Sequence, residues 1–101
     1  MKKITALIKE PGADPELREI DNTLSALQQI VGGYIETLTL FEDVVVICNE
    51  DGRLIGLEEN CSIFGLNFVG TIAIVLADGD EFASWDLDLV ASRMLFPEMW
   101  I

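Results

Sequence analysis

The stretch NTLSALQQIVGGYIE, residues Asn22–Glu36, decides how the chain folds. Leu24, Leu27 and Val31 recur at intervals of three and four residues, which is the spacing of one apolar helix face. A Gly-Gly pair follows, and a glycine after a helix commonly adopts the left-handed backbone that ends it. We therefore predict a helix that stops at the glycines and a strand that begins directly after them.

Local chemistry refines this prediction at both ends of the helix. Asn22 is expected to be the N-cap, because its side chain can accept a hydrogen bond from a free backbone N–H in the first turn. The Gly-Gly pair is not expected to form a phosphate-binding loop. Phosphate groups bind at helix N-termini, where free N–H groups converge, whereas these glycines follow the helix.

Strand-like segments flank the helix on both sides. Alternating or β-branched patterns predict strands at Lys3–Lys9, Glu16–Ile20, Tyr34–Phe41, Val44–Cys48, Arg53–Leu57, Val69–Ala77 and Glu81–Ala83. The unbroken apolar run at Val44–Cys48 is typical of a central strand buried on both faces. Asn49–Gly52 has the composition of a hairpin turn, so residues 34–57 are predicted to form an antiparallel meander. Glu58–Asn67 shows no regular pattern.

A second amphipathic helix is predicted near the end of the chain. Ser84 is expected to cap it and Pro97 to end it, and its apolar face is predicted to comprise Leu87, Val90, Ala91, Met94 and Leu95. The whole pattern predicts an α+β fold with a mostly antiparallel sheet of five or six strands and two amphipathic helices. We expect one domain over residues 1–101, with the C-terminal helix and an apolar tail in residues 83–101.

The net charge of −12, from 18 acidic and six basic residues, is the most unusual property of the chain. Such a charge repels nucleic acid and anionic membranes, so neither is expected as a direct partner. The charge either serves solubility, or forms a surface that binds a basic protein or imitates the phosphate backbone of DNA. The candidate surface carboxylates are Glu42, Asp43, Glu50, Asp51, Glu58, Glu59, Asp78, Asp80 and Glu81.

The chain lacks the usual residues of several chemistries. It contains no histidine, so nucleophilic catalysis would lack its most common base, and two cysteines alone cannot make a zinc site. No catalytic residue, metal site or cofactor is predicted, and we expect no enzyme activity. Cys48 and Cys61 are too few for a disulfide framework, which fits a cytoplasmic setting. The longest apolar run is about half a membrane span.

Two further surfaces could bind partners. Tyr34, Glu36, Asn60 and Asn67 could contact a small ligand or nucleotide in a pocket between the Gly-Gly pair and Glu58–Asn67. The apolar tail either docks on its own domain or contacts a second copy, and its residues are Phe96, Met99, Trp100 and Ile101.

Three segments together carry a family resemblance: VGGYIE at Val31–Glu36, the N-E-x-G turn at Asn49–Gly52, and VGT at Val69–Thr71. In this order the chain resembles the family catalogued as domain of unknown function 3846, found in bacteriophages, plasmids and other mobile elements of Gram-positive bacteria. The resemblance covers about Ile4 to Phe82. It implies an association with a phage or mobile element, and no activity or catalytic residue.

These observations favour a small acidic accessory protein that acts by binding another protein. By analogy with other small acidic proteins of mobile elements, countering a host defence or imitating DNA would be one version of that function. A domain that binds a small ligand or nucleotide is the alternative.

Overall fold

A computed structural model describes residues 2–100, in which eight strands, two α-helices and one short 3-10 helix form. The strands are β1 (Lys3–Lys9), β2 (Glu16–Asp21), β3 (Ile35–Phe41), β4 (Val44–Asn49), β5 (Glu59–Ile63), β6 (Leu66–Val69), β7 (Ile72–Asp78) and β8 (Glu81–Ala83). The helices are α1 (Leu24–Val31) and α2 (Leu89–Leu95), and the 3-10 helix is Pro97–Trp100.

Six strands form the main sheet, in the order β2-β1-β7-β4-β3 with β8 beside β7. β5 and β6 form a separate two-stranded sheet. Every paired strand is antiparallel to its neighbour. The prediction of an α+β fold with a mostly antiparallel sheet and two helices is therefore confirmed.

The centre of the main sheet is buried on both faces, because different elements cover each side. Val45 and Ile47 face α1, in a core cluster with Leu27 of that helix. Val44 and Val46 face the opposite side, in a cluster that includes residues of the β5–β6 hairpin and the 3-10 helix. Successive side chains of a strand point to opposite faces, so the continuous apolar run of β4 fills both clusters.

Helix α1 ends where the sequence predicts and begins one residue later than expected. Gly32 adopts the left-handed conformation at φ 78°, and its N–H donates to the carbonyl oxygen of Gln28 at 2.8 Å. Thr23 is the N-cap, and its hydroxyl accepts from the Ala26 N–H. The prediction of Asn22 as N-cap was wrong, because its amide is used elsewhere, donating to the Phe82 carbonyl oxygen at 2.9 Å.

The predicted strand at Arg53–Leu57 is instead a series of turns, and β4 pairs with β7. The Ile55 N–H donates to the Asp51 carbonyl oxygen at 3.0 Å, so the chain keeps turning after Asn49–Gly52. Between β1 and β4, the central position of the sheet suits a strand that is apolar on both faces. β7 supplies one, with Ile72–Val75 fully buried, whereas Arg53–Leu57 contains a charge and a glycine.

Glu58–Asn67, predicted to be irregular, contains β5 and the start of β6, joined at Phe64 and Gly65. Both turn residues have positive φ, 51° and 81°, as a two-residue type I′ hairpin requires. Phenylalanine is unusual at such a position, so this turn lacks the residues from which a hairpin can be predicted. The Phe64 ring lies 5.6 Å from that of Phe96 and 5.8 Å from that of Phe41, and these contacts favour the conformation.

The predicted strand Val69–Ala77 divides into the last residue of β6 and most of β7. Gly70, at φ 70°, lies between them and redirects the chain from the hairpin into the main sheet.

The second helix starts later than predicted. Asp88 is its N-cap and accepts from the Ala91 N–H at 2.8 Å. Ser84, the predicted cap, accepts instead from the Thr5 N–H at 2.9 Å and ties this segment to β1. Asp88 and Ser84 are both good caps by composition, and the contact of Ser84 with β1 decides between them.

The orientation of α2 also differs from the predicted apolar stripe. Val90 and Met94 are 73% and 81% exposed, while Ser92 is fully buried. The Ser92 hydroxyl accepts from Trp85 Nε1 at 2.8 Å. The buried indole therefore turns a polar residue of α2 toward the core, which spacing alone does not predict.

Candidate functional site

Two adjoining cavities lie on the sheet face opposite α1, near the end of β4. The first has a volume of about 360 Å³ and is lined by β3, β4, the turns at residues 50–57 and β6. The second has a volume of about 370 Å³ and is lined mainly by β5 and β6. The β5–β6 hairpin thus forms a wall shared by both cavities.

Arg53 lies between the two cavities and lines both of them. Its Nη2 donates to the carbonyl oxygen of Asn67, which joins the turns at residues 50–57 to the hairpin. Within residues 2–100, the ion pairs involve only Lys3 and Arg18 as cations, so Arg53 is not neutralised by a carboxylate in contact. Arg53 thus provides a positive charge within a strongly acidic half of the chain.

The structure brings together three of the four residues predicted to contact a ligand. Glu36 lines the first cavity, Asn60 the second, and Asn67 both. Tyr34 is 70% exposed and lines neither cavity. The cavities also do not reach the Gly-Gly pair, since Asn49 stands between the first cavity and Gly33.

Asn60 acts mainly as a structural clamp in this arrangement. Its Nδ2 donates to the carbonyl oxygens of Lys9 at 2.8 Å and Gly70 at 2.7 Å, which fixes the hairpin to β1. Its Oδ1 is buried and has no hydrogen-bond partner within residues 2–100. Lys9 is only 4% exposed, and its Nζ donates to the Glu10 carbonyl oxygen at 2.9 Å.

The two cysteines lie one in each cavity and both are free thiols. Burial raises the pKa of the Cys48 thiol, and the nearby carboxylate of Glu36, with Oε1 3.8 Å from Sγ, adds to this effect. Burial also raises the pKa of the Cys61 thiol. A reactive cysteine needs a lowered pKa, so neither site offers an activated nucleophile.

Three leucines give the first cavity a partly apolar lining that the sequence analysis did not identify. Leu38, Leu54 and Leu66 are 38%, 86% and 44% exposed, and all three line this cavity. Glu36 and Glu50 line it as well. Leu38 and Leu54 lie in segments predicted to be strands and Leu66 in a segment predicted to be irregular, and only the tertiary arrangement shows that all three are solvent-accessible.

All nine predicted surface carboxylates are exposed, but they divide between two ends of the main sheet. Val44 pairs with Leu76 and Ile47 with Ala73, which places the turns after β3 and β7 at one end and the loop after β4 at the other. One group is therefore Glu42, Asp43, Asp78, Asp80 and Glu81, and the other is Glu50, Asp51, Glu58 and Glu59. The length of β4 separates the two groups by roughly 20 Å.

Most of the apolar tail lies in the core. Phe96 and Met99 are 2% and 0% exposed, and Trp100 packs against the same cluster. Ile101, the last residue predicted for this surface, lies outside the described residues. This placement matches the alternative in which the tail docks on its own domain.

The described part of the chain holds no group of three or more cysteine, aspartate and glutamate side chains arranged to bind a metal ion. Within residues 2–100 no helix combines the length and the apolar composition needed to cross a membrane.

Comparison with known proteins identifies the family. The family described as Domain of unknown function (DUF3846) matches residues 2–96 of the chain. This region contains all three segments on which the resemblance rests, so the resemblance is confirmed. No curated protein and no solved structure matches the chain.

Proposed function

We propose that this chain, which belongs to the DUF3846 family, is an acidic protein-binding module whose first cavity receives a basic segment of a partner protein. The observation that carries the proposal is the lining of this cavity, where exposed leucines lie beside Glu36 and Glu50. Exposed apolar side chains collected in one groove usually mark a binding surface.

A lysine or arginine side chain suits the leucines and carboxylates of this lining, and the cation in the lining, Arg53, is held toward the β5–β6 hairpin by its hydrogen bond to the Asn67 carbonyl oxygen. Its aliphatic stem can pack on leucines such as Leu54 and Leu66, while its charged end reaches a carboxylate. The net charge of −12 would attract a basic partner over a distance and accelerate encounter. The free thiols fit a cytoplasmic setting. The association with mobile elements that the resemblance implies would make a host protein the expected partner.

The placement of the carboxylates favours this version over imitation of DNA. Duplex DNA carries a negative charge about every 1.7 Å along its axis. Here the nine predicted surface carboxylates form two groups at opposite ends of the sheet, with β4 between them. A short basic segment needs only one of these groups for binding, whereas imitation of DNA would need a continuous series of carboxylates.

Arg53 supports a second candidate function, the binding of an anionic small ligand such as a nucleotide. Its guanidinium borders both cavities, and Ser62 and Asn67 line the second one with it. If this function is correct, nucleotides should raise the melting temperature of the protein. Arg53→Gln should abolish that effect, because it removes the charge and keeps an unbranched polar side chain.

A peptide-binding experiment tests the main proposal. The probe is a fluorescein-labelled nine-residue peptide, TLTKTLTKT, titrated with protein while anisotropy is recorded. Glu36→Gln combined with Glu50→Gln should weaken binding about fivefold, since exposed ion pairs contribute up to about 1 kcal/mol together. Binding should also weaken as salt is added, because the charges are exposed.

The matched control is Asp78→Asn combined with Asp80→Asn, which removes the same charge at the opposite end of the sheet. This variant should change the affinity less than twofold. Equal losses in the two double variants would show general electrostatic attraction and contradict a site in the first cavity. Binding of the acidic peptide TLTETLTET with equal affinity would also contradict the proposal.

A further inference from the structure

We infer that β3 binds the basic segment of the partner as an additional strand of the main sheet. This inference rests on the proposed function, because it specifies how the segment enters the first cavity. Among the strands of residues 2–100, β3 is the last of the sheet and has β4 as its one neighbour. Its residues 36–39 are exposed, and the first cavity opens beside it.

The two edges of the sheet differ in their protection. β2, the opposite edge, has the sequence ELREID, with four charged residues out of six. Charged side chains on an edge strand hinder the addition of another strand. β3 has the sequence IETLTLF, with Glu36 as its single charge, so this edge remains suitable for pairing.

The register of β3 shows which backbone groups are available. The Glu50 N–H donates to the Tyr34 carbonyl oxygen at 2.9 Å, so these two residues form a hydrogen-bonded pair. Such pairs alternate with pairs whose N–H and C=O groups point away from each other. Ile35, Thr37 and Thr39 therefore direct their N–H and C=O groups away from β4, toward an incoming strand.

The same register predicts the side chains of the partner. Glu36 and Leu38 pair with Cys48 and Val46, which lie on the face of the first cavity. Residues opposite each other in neighbouring strands point to the same face. The partner should therefore place a lysine or arginine opposite Glu36 and, two residues away, an apolar side chain opposite Leu38.

A second copy of the chain is a less suitable occupant than a basic segment. Residues 34–51 contain five carboxylates and no lysine or arginine. Antiparallel pairing of two β3 strands would place the turn at Glu42 and Asp43 of one copy near Glu50 and Asp51 of the other. Like charges would then meet at both ends of the interface.

Thr37→Pro provides a direct test, using the same labelled peptide TLTKTLTKT. Proline removes the N–H that points toward the incoming strand and leaves the β3–β4 hydrogen bonds in place, because the Thr37 N–H does not point at β4. We expect binding to weaken at least about tenfold, the effect of losing 1.4 kcal/mol. Thr37→Val is the matched control, since it keeps the N–H and a β-branched side chain, and it should bind as the original protein does.

A second measurement keeps the test independent of the stability of the proline variant. A peptide with N-methyl groups on alternate backbone amides should lose binding in only one of the two methylation registers, the one whose amides face β3. Equal binding of both registers, or of the Thr37→Pro and Thr37→Val proteins, would overturn the inference.

The outcomes also separate this inference from the proposed function. If Glu36→Gln with Glu50→Gln weakens binding and Thr37→Pro does not, the cavity binds the segment without strand addition. If neither affects binding, both proposals fail. A dimer seen by sedimentation that dissociates on Thr37→Pro would show that a second copy occupies the edge, which would also overturn the inference.

Discussion

Gly32 and Gly33 are needed for different reasons, although the sequence places them together as a helix stop. Gly32 has φ 78°, and a Cβ added there would meet no atom within 4 Å. Glycine is therefore required at this position for its left-handed backbone and not for lack of space. Gly33 faces Asn49, and a Cβ there would lie 2.8 Å from Asn49 Nδ2. The Asn49 side chain is occupied at both ends, donating to the Val31 carbonyl oxygen and accepting from the Asp51 N–H.

Gly33→Ala should therefore destabilise the protein by displacing the Asn49 side chain. We expect a loss of about 1–3 kcal/mol in the free energy of unfolding, the cost of leaving a buried polar group without its partner. Gly32→Ala should cost about 1 kcal/mol through its left-handed backbone alone. Urea denaturation of both variants measures these values.

A double-mutant cycle distinguishes the two mechanisms. Asn49→Ala should add much less destabilisation in the Gly33→Ala protein than in the original one, because the same contact is already lost. In the Gly32→Ala background its effect should be fully additive. Additivity in both backgrounds would mean that Gly33 does not act through Asn49.

At the level of elements, α2 is fixed by a polar contact rather than by an apolar stripe. The buried Trp85 donates from Nε1 to the Ser92 hydroxyl at 2.8 Å, and that hydroxyl donates to the Asp88 carbonyl oxygen at 2.7 Å. The Trp85 ring also lies 5.7 Å from that of Phe96. One serine therefore joins the N-cap of α2 to the core.

Ser92→Ala should remove both hydrogen bonds and leave the indole N–H buried without an acceptor. We expect a loss of about 1–3 kcal/mol, measured by thermal or urea unfolding, with a change in tryptophan fluorescence. Ser25→Ala, on the exposed side of α1, is the matched control and should change stability by less than about 0.5 kcal/mol. Equal effects would contradict the assigned contact.

The elements predicted correctly are those whose signal is local. The end of α1 follows from a glycine at the left-handed position, and β4 follows from its unbroken apolar run. The β5–β6 hairpin was missed because Phe64 adopts a backbone that phenylalanine rarely takes, through ring contacts with residues distant in sequence. The side of α2 that faces the core was predicted wrongly, because the hydrogen bond from Trp85 Nε1 keeps Ser92 buried.

The candidate site could be predicted only in part, for the same reason. Glu36, Asn60 and Asn67 were identified as polar residues near a predicted pocket, and they do line the two cavities. Arg53 and Leu54 were assigned to a strand that does not form, so their place in the cavity could not be inferred. That place depends on turns held by backbone hydrogen bonds and on the pairing of β4 with β7.

At the scale of the whole molecule, the charge of −12 is distributed over a body of 33 × 30 × 22 Å. The screening length in 10 mM salt is about 30 Å, which is comparable to the size of the molecule, so the carboxylates at both ends of the sheet repel one another. In 1 M salt the screening length falls to about 3 Å. Unfolding separates like charges and relieves the repulsion.

Stability should therefore rise with sodium chloride between 10 mM and 1 M, seen as a higher urea midpoint. Asp78→Asn, Asp80→Asn and Glu81→Gln together should raise the midpoint at 10 mM salt and reduce its salt dependence, because these exposed groups join β7 to β8 at one crowded end. Lys2→Gln is the opposite control, since it makes the net charge more negative and should lower the midpoint at 10 mM salt. If the triple variant destabilises the protein equally at both salt concentrations, its carboxylates act through local turn contacts and not through repulsion.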